Sequence, residues 1–276
     1  MNDPIAIPQA PEQYEAAGEL SRLFRLDGRK VVVLGAAGGI GQSIAVGIAA
    51  FGAHVVAVDR SDELAESAAA AVRAAGGSAE AQACDMTDTA SIDALVSAHE
   101  DAEAVVIMPA ALVRKRLIDQ TEAEIDLQLS LNVKYTLLIA RGFAARMAER
   151  GRGSIVAMSS VRARMVETHS GMYAATKAAL ILMMKSLALE FGMNGVRFNT
   201  IAPSPVATPL TADVRAKQEW VDQVAERSML KRWAQPADFV GPAVFLVSDA
   251  SGFLTGADIV VDGGWTSMDG MSRVES

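Results

Sequence analysis

Tyr173 and Lys177 stand four residues apart in a run, Met172 to Phe191, that is rich in Ala, Leu and Met. No Pro or Gly interrupts it before Gly192. That composition predicts a helix. Residues four apart on a helix share a face, so a phenol and an ammonium meet there. A phenol titrates near about 10, and a neighbouring ammonium lowers that value by favouring the phenolate. The pair is a candidate general base for work near neutral pH.

A second chemical feature lies near the N-terminus. Gly35-Ala36-Ala37-Gly38-Gly39-Ile40-Gly41 follows a short apolar, β-branched run, Lys30-Val31-Val32-Val33-Leu34, and precedes a helical pattern over 42–51. Glycines between a strand and a helix let the backbone approach a pyrophosphate, which the helix N-terminus then stabilises. The next predicted strand, 54–59, ends in Asp59. Its carboxylate suits the adenosine ribose hydroxyls and repels a 2′-phosphate. Arg60 follows and would tolerate that phosphate, but Ala37 and Gly38 are not basic, so NAD is expected over NADP.

These groups must be positioned by an alternation that runs the length of the chain. Further helices are predicted over 62–75, 89–100 and 121–150, and further strands over 78–84, 104–107, 154–158, 196–201 and 258–262. Seven strands alternating with helices predict an α/β fold with a doubly wound, Rossmann-type parallel seven-stranded sheet. Residues 1–20 hold three prolines and no clear apolar period, and are expected to form a tail. Residues 21–276 are expected to form a single domain, with a substrate loop at about 204–227.

Composition narrows the function. A net charge of −8 argues against nucleic-acid binding, which needs a basic face. One cysteine, Cys84, excludes an intrachain disulfide or a Cys-based zinc site, and three scattered histidines argue against a metal centre. No uninterrupted apolar run reads as a membrane span, and the N-terminus lacks a signal peptide's basic and apolar regions. A cytoplasmic protein is the expectation.

The ordered motifs resemble the short-chain dehydrogenase/reductase family over roughly residues 26–265. The glycine motif matches at Gly35, Gly39, Ile40 and Gly41, with Leu34 in the place of a threonine. Asn132 matches the family's helix asparagine. Ser160, thirteen residues before Tyr173, matches its serine, and Tyr173 and Lys177 match its Tyr-x-x-x-Lys pair. Asp85, with Met86 beside it, matches the adenine-contacting aspartate. The segment from Asn199 to Thr208, including Val206, matches the one that closes on the nicotinamide, and Ala110 falls in the segment after the fourth strand.

The resemblance implies catalysis by Asn132, Ser160, Tyr173 and Lys177. Tyr173 exchanges a proton with the substrate oxygen, Ser160 holds that oxygen, Lys177 hydrogen-bonds the nicotinamide ribose and, with the oxidised cofactor's positive charge, lowers the Tyr173 pKa, and Asn132 holds a water linking Lys177 to solvent. It also implies a homotetramer, with helices 121–150 and 172–191 at subunit contacts. Two departures stand out. Met108-Pro109-Ala110-Ala111 replaces the family's Asn-Asn-Ala-Gly, so apolar packing must substitute for hydrogen bonds. Pro203-Ser204-Pro205 replaces a Pro-Gly, which stiffens the following loop.

The substrate is less legible. Arg114, Arg162 and Arg164 would suit a carboxylate, since guanidinium pairs bidentately with oxyanions; surface or subunit-contact charges are the alternative. His169 shares the Tyr173 face if the helix reaches that far. Segments 23–28 and 232–233 loosely resemble members that oxidise sugar acids such as gluconate. The expected activity is NAD-dependent interconversion of a secondary alcohol and a ketone on a sugar, sugar acid or hydroxy acid. A lipid-like ketone, and a non-catalytic cofactor-binding role, are the alternatives.

Overall fold

A computed structural model of the chain describes residues 17–268. The tail expected over 1–20 therefore lies outside the described residues up to 16. Its last residues belong instead to a short helix, α1 (Ala17–Arg22).

The elements then alternate: β1 (Lys30–Leu34), α2 (Gly39–Ala50), β2 (His54–Asp59), α3 (Asp62–Ala74), β3 (Ser78–Ala83), α4 (Thr89–Ala98) and β4 (Ala104–Ile107). After β4 come α5 (Glu122–Leu129), α6 (Thr136–Glu149), β5 (Gly153–Met158), α7 (Gly171–Phe191) and β6 (Val196–Pro203). Two short helices, α8 (Ala212–Arg215) and α9 (Gln218–Arg227), precede α10 (Val240–Val247) and β7 (Asp258–Val261). All seven strands pair in parallel in the order β3-β2-β1-β4-β5-β6-β7. The order reverses between β1 and β4, and a doubly wound sheet binds ligands outside the strand C-termini at that point.

A strand covered on both faces must be apolar at every position. Along β1, Val31 and Val33 enter one core with Ile44 and Ile48 of α2. Val32 and Leu34 enter the opposite core with Phe143 and Met147 of α6. All four β1 side chains are buried.

Three local expectations change. The helix after the glycine motif begins at Gly39 rather than 42, so the motif's last glycines form its first turn. The helix expected over 121–150 is interrupted by a π-helical turn, Ser130–Tyr135, between α5 and α6. Such wide turns rotate a side chain out of the regular register and recur at functional sites; this one carries Asn132 into the interior. Finally, Gly171–Asn194 does have the length and composition of a membrane span, with a mean hydropathy of 1.3. Its Leu180, Met184 and Leu187 nevertheless pack in the core beneath the sheet.

Candidate active site

A cleft of about 760 Å³ opens at the C-terminal ends of β4, β5 and β6. Of the residues singled out from sequence, Ile40, Ala110, Arg114, Ser160, Arg162, His169, Tyr173, Lys177, Val206 and Thr208 line it. Ser160 arrives on the turn after β5, whose apolar residues are buried on both faces. Tyr173 and Lys177 sit in the first two turns of α7, where the four-residue spacing aims both at the end of β5.

Burial dominates the electrostatics of the pair. Lys177 is 2% exposed and its Nζ donates to the Met158 carbonyl at 2.6 Å. Burial lowers its pKa from 10.5 to about 7, because desolvation penalises the ammonium. Burial also raises the Tyr173 phenol above its usual value. The hydrogen bond from Ser160 and the positive charges of Arg162 and Arg114 pull it back down. Lys177 Nζ stands 5.6 Å from the Tyr173 ring centroid. In the protein by itself burial is the largest influence on the phenol; the expected lowering draws on the oxidised cofactor's positive charge as well as on Lys177.

Asn132 is 1% exposed, and its amide makes three hydrogen bonds. Oδ1 accepts from the Ala111 amide at 2.7 Å, and Nδ2 donates to the Ala111 carbonyl and to Thr176 Oγ1, each at 2.9 Å. One Oδ1 lone pair has no partner among these bonds. Asn132 also ties the segment after β4 to the turn that holds Tyr173, since Thr176 Oγ1 donates on to the Tyr173 carbonyl at 2.8 Å. The same segment packs at Gly35: a Cβ there would lie 3.1 Å from Met108 Cβ and 3.2 Å from Pro109 Cδ. Asn132 and this contact together do the bracing that apolar packing alone was expected to supply.

Ser159 and Ser160 separate cleanly. Ser159 Oγ is committed to the Ile201 carbonyl at 3.0 Å and to Asp258 Oδ1 at 2.7 Å. Ser160 Oγ accepts only from the Arg162 amide at 3.1 Å among its backbone contacts and faces Tyr173.

The glycine motif fits a dinucleotide. Gly35 has φ +76°, and a Cβ on Gly41 would lie 2.1 Å from the Gly35 carbonyl oxygen, so only glycine permits this close approach of loop and helix. Gly38 caps α2 without a side-chain hydrogen bond, and no acid occupies the first turn. The leading amides of α2 are thus left for phosphate oxygens. Asp59 closes β2, with its carboxylate accepting from the Ala37 and Arg60 amides at 3.0 and 2.9 Å. Asp85 lies two residues beyond β3; its Oδ1 accepts from Thr87 N and Oγ1 at 2.8 and 2.7 Å, and Met86 is buried beside it.

Three substrate expectations are revised. Arg164 does not line the cleft but pairs with Asp258 at 2.6 Å. α7 begins at Gly171, so His169 precedes the helix; it lines the cleft in a left-handed conformation with φ 68°. Arg114 and Arg162 do reach the cleft, and both face Glu167, which sequence reasoning passed over. Thr176 was also passed over, whereas Trp220 and Val224 fall within the substrate loop expected at about 204–227 and line the cleft; an acid between two arginines and the tyrosine was the available signal for Glu167.

The comparisons with known proteins agree with this geometry. A family model described as enoyl-(acyl carrier protein) reductase matches residues 35–266. The gluconate 5-dehydrogenase of Gluconobacter oxydans (strain 621H) is 35% identical over 248 residues, covering 88% of this chain and 97% of that protein. The D-threitol dehydrogenase of Mycolicibacterium smegmatis is 36% identical over 251 residues, covering 88% and 95%. Among solved structures, a gluconate 5-dehydrogenase from Burkholderia cenocepacia J2315 in complex with NADP and tartrate aligns with a TM-score of 0.85. It is 30% identical, and the match covers 89% of this chain and 98% of that one. The chain belongs to the short-chain dehydrogenase/reductase family. It is an oxidoreductase acting on CH–OH groups with a nicotinamide cofactor.

Proposed function

We propose that this chain is an NAD-dependent dehydrogenase that interconverts a secondary alcohol and a ketone on a sugar, sugar acid or hydroxy acid. The observation that carries the substrate class is the convergence of Arg114 and Arg162 on the cleft beside Ser160 and Tyr173. Guanidinium groups at that place suit a substrate with a carboxylate or several hydroxyls. The names of the gluconate and threitol relatives point the same way.

When bound, the nicotinamide supplies the hydride acceptor or donor. Gly35, Gly39, Ile40 and Gly41 would hold its pyrophosphate and Asp59 its adenosine ribose, with Arg60 and Asp85 at the adenosine end. Asp59 supports NAD over NADP, because a carboxylate there repels a 2′-phosphate. Ser160 donates a hydrogen bond to the substrate oxygen, and the Tyr173 oxygen exchanges the proton with it. Lys177, about half protonated near neutral pH, adds positive charge beneath the phenol. Asn132 holds the turn of Tyr173 in place.

A homotetramer is part of the same reading. Leu127 and Leu129 of α5 and Leu182 and Leu189 of α7 are exposed, as apolar faces awaiting subunit contacts would be. The test of function is NADH formation across aldonates, sugars, polyols and hydrophobic secondary alcohols, with NAD and NADP in parallel. Turnover of aldonates or polyols with NAD is the expected result. Activity confined to hydrophobic alcohols would move the substrate to a lipid-like ketone, for which the aliphatic lining of Leu112, Val161, Val214 and Val224 leaves room.

A further inference from the structure

Glu167 lies on the wall of the cleft, six residues before Tyr173, with its side chain 25% exposed. One of its oxygens, Oε2, stands 3.1 Å from Arg162 Nη2 and 3.8 Å from Arg114 Nη1. The Arg162 side chain is 12% exposed and its guanidinium lies 5.9 Å from the centre of the Trp265 ring. The Arg162 backbone amide also donates to Ser160 Oγ, so this guanidinium is anchored two residues from the hydroxyl that meets the substrate.

A buried guanidinium that loses its counterion is costly, so an anion is required at this place. Here the protein supplies the anion itself. Two guanidinium groups and one carboxylate leave one net positive charge facing the cleft. We propose that Glu167 is a specificity-determining residue: an internal carboxylate that occupies the anion position between Arg114 and Arg162 and against which a substrate carboxylate must compete. The inference rests on the sugar or sugar-acid reading of this cleft.

Held this way, the arginines are ordered without a substrate, and a neutral polyol enters with no uncompensated charge left behind. An aldonate must instead share or displace the Glu167 pair. Glu167 thereby narrows the gap in affinity between neutral and anionic substrates that the bare arginines would create.

The test compares wild type, Glu167→Gln and Glu167→Asp on a six-carbon aldonate and on the polyol of equal length, with NAD saturating. KM is read for each, or Ki where the compound is not turned over. Glu167→Gln is expected to lower the aldonate constant about tenfold relative to the polyol constant, with aldonate kcat little changed; tenfold corresponds to about 1.4 kcal/mol. Glu167→Asp keeps the charge and is expected to leave the ratio near wild type. Melting temperatures and NADH affinity report whether each variant is folded. An unmoved ratio, or a weaker aldonate constant in folded Glu167→Gln, overturns the role of Glu167 while wild-type turnover keeps the sugar-acid reading. No wild-type turnover or binding of either compound removes that reading and this inference together.

Discussion

Replacing Lys177 with methionine should stabilise the cofactor-free protein, and by an amount that depends on pH. The side chain is 2% exposed and its pKa falls from 10.5 to about 7. A shift of about 3.5 units at about 1.36 kcal/mol each means that holding a charged ammonium here costs about 5 kcal/mol. The unfolded chain keeps the proton up to about pH 10.5, whereas the folded protein releases it near 7. Wild-type stability therefore rises with pH through that window, at about 1.4 kcal/mol per unit, and the cost is fully present only below about pH 7. Methionine has similar length and no charge, but it abandons the Met158 carbonyl, at a cost of about 1–3 kcal/mol. The net gain for Lys177→Met is about 2–4 kcal/mol at pH 7 and shrinks by about 2–3 kcal/mol by pH 9. Denaturant unfolding of both proteins at pH 6, 7, 8 and 9 without cofactor measures it. A difference that stays constant across those pH values would refute the reasoning, because it would mean that Lys177 keeps its proton in the folded state throughout.

Other substitutions probe the remaining groups. Tyr173→Phe should reduce kcat about 10²–10⁴-fold and leave NADH affinity within about twofold, as measured by turnover and fluorescence titration; joint loss of both would assign Tyr173 a structural role. Asn132→Ala strips partners from Ala111 and Thr176 and should cost about 3 kcal/mol, lowering the melting temperature by about 6–12 °C. Asp59→Ala should shift the kcat/KM ratio toward NADP by about tenfold or more, and an unchanged ratio would sink the ribose assignment.

Much of this molecule could be read without coordinates, because local chemistry repeats along the chain. Val31 to Leu34 are apolar at every position, which only a strand covered on both faces requires. Gly35 to Gly41 announce a close approach of backbone that no other residue permits. The four-residue spacing of Tyr173 and Lys177 places them on one face through helix geometry alone. Seven strands and their parallel arrangement followed from such signals.

Tertiary structure decided what depends on burial and on partners distant in sequence. Lys177 reads as a charged helix residue until the sheet covers it, and desolvation then brings it to half charge near pH 7. Arg114, Arg162 and Arg164 look equivalent in sequence. Folding sends Arg164 to Asp258 at the start of β7 and brings the other two to a single oxygen of Glu167. Asn132 became a brace only because a π-helical turn rotates it toward Ala111, 21 positions away, and Thr176, 44 away. Spacing along a chain determines which side chains share a face; which of them lose water, and to whom they turn, is settled by what packs against that face.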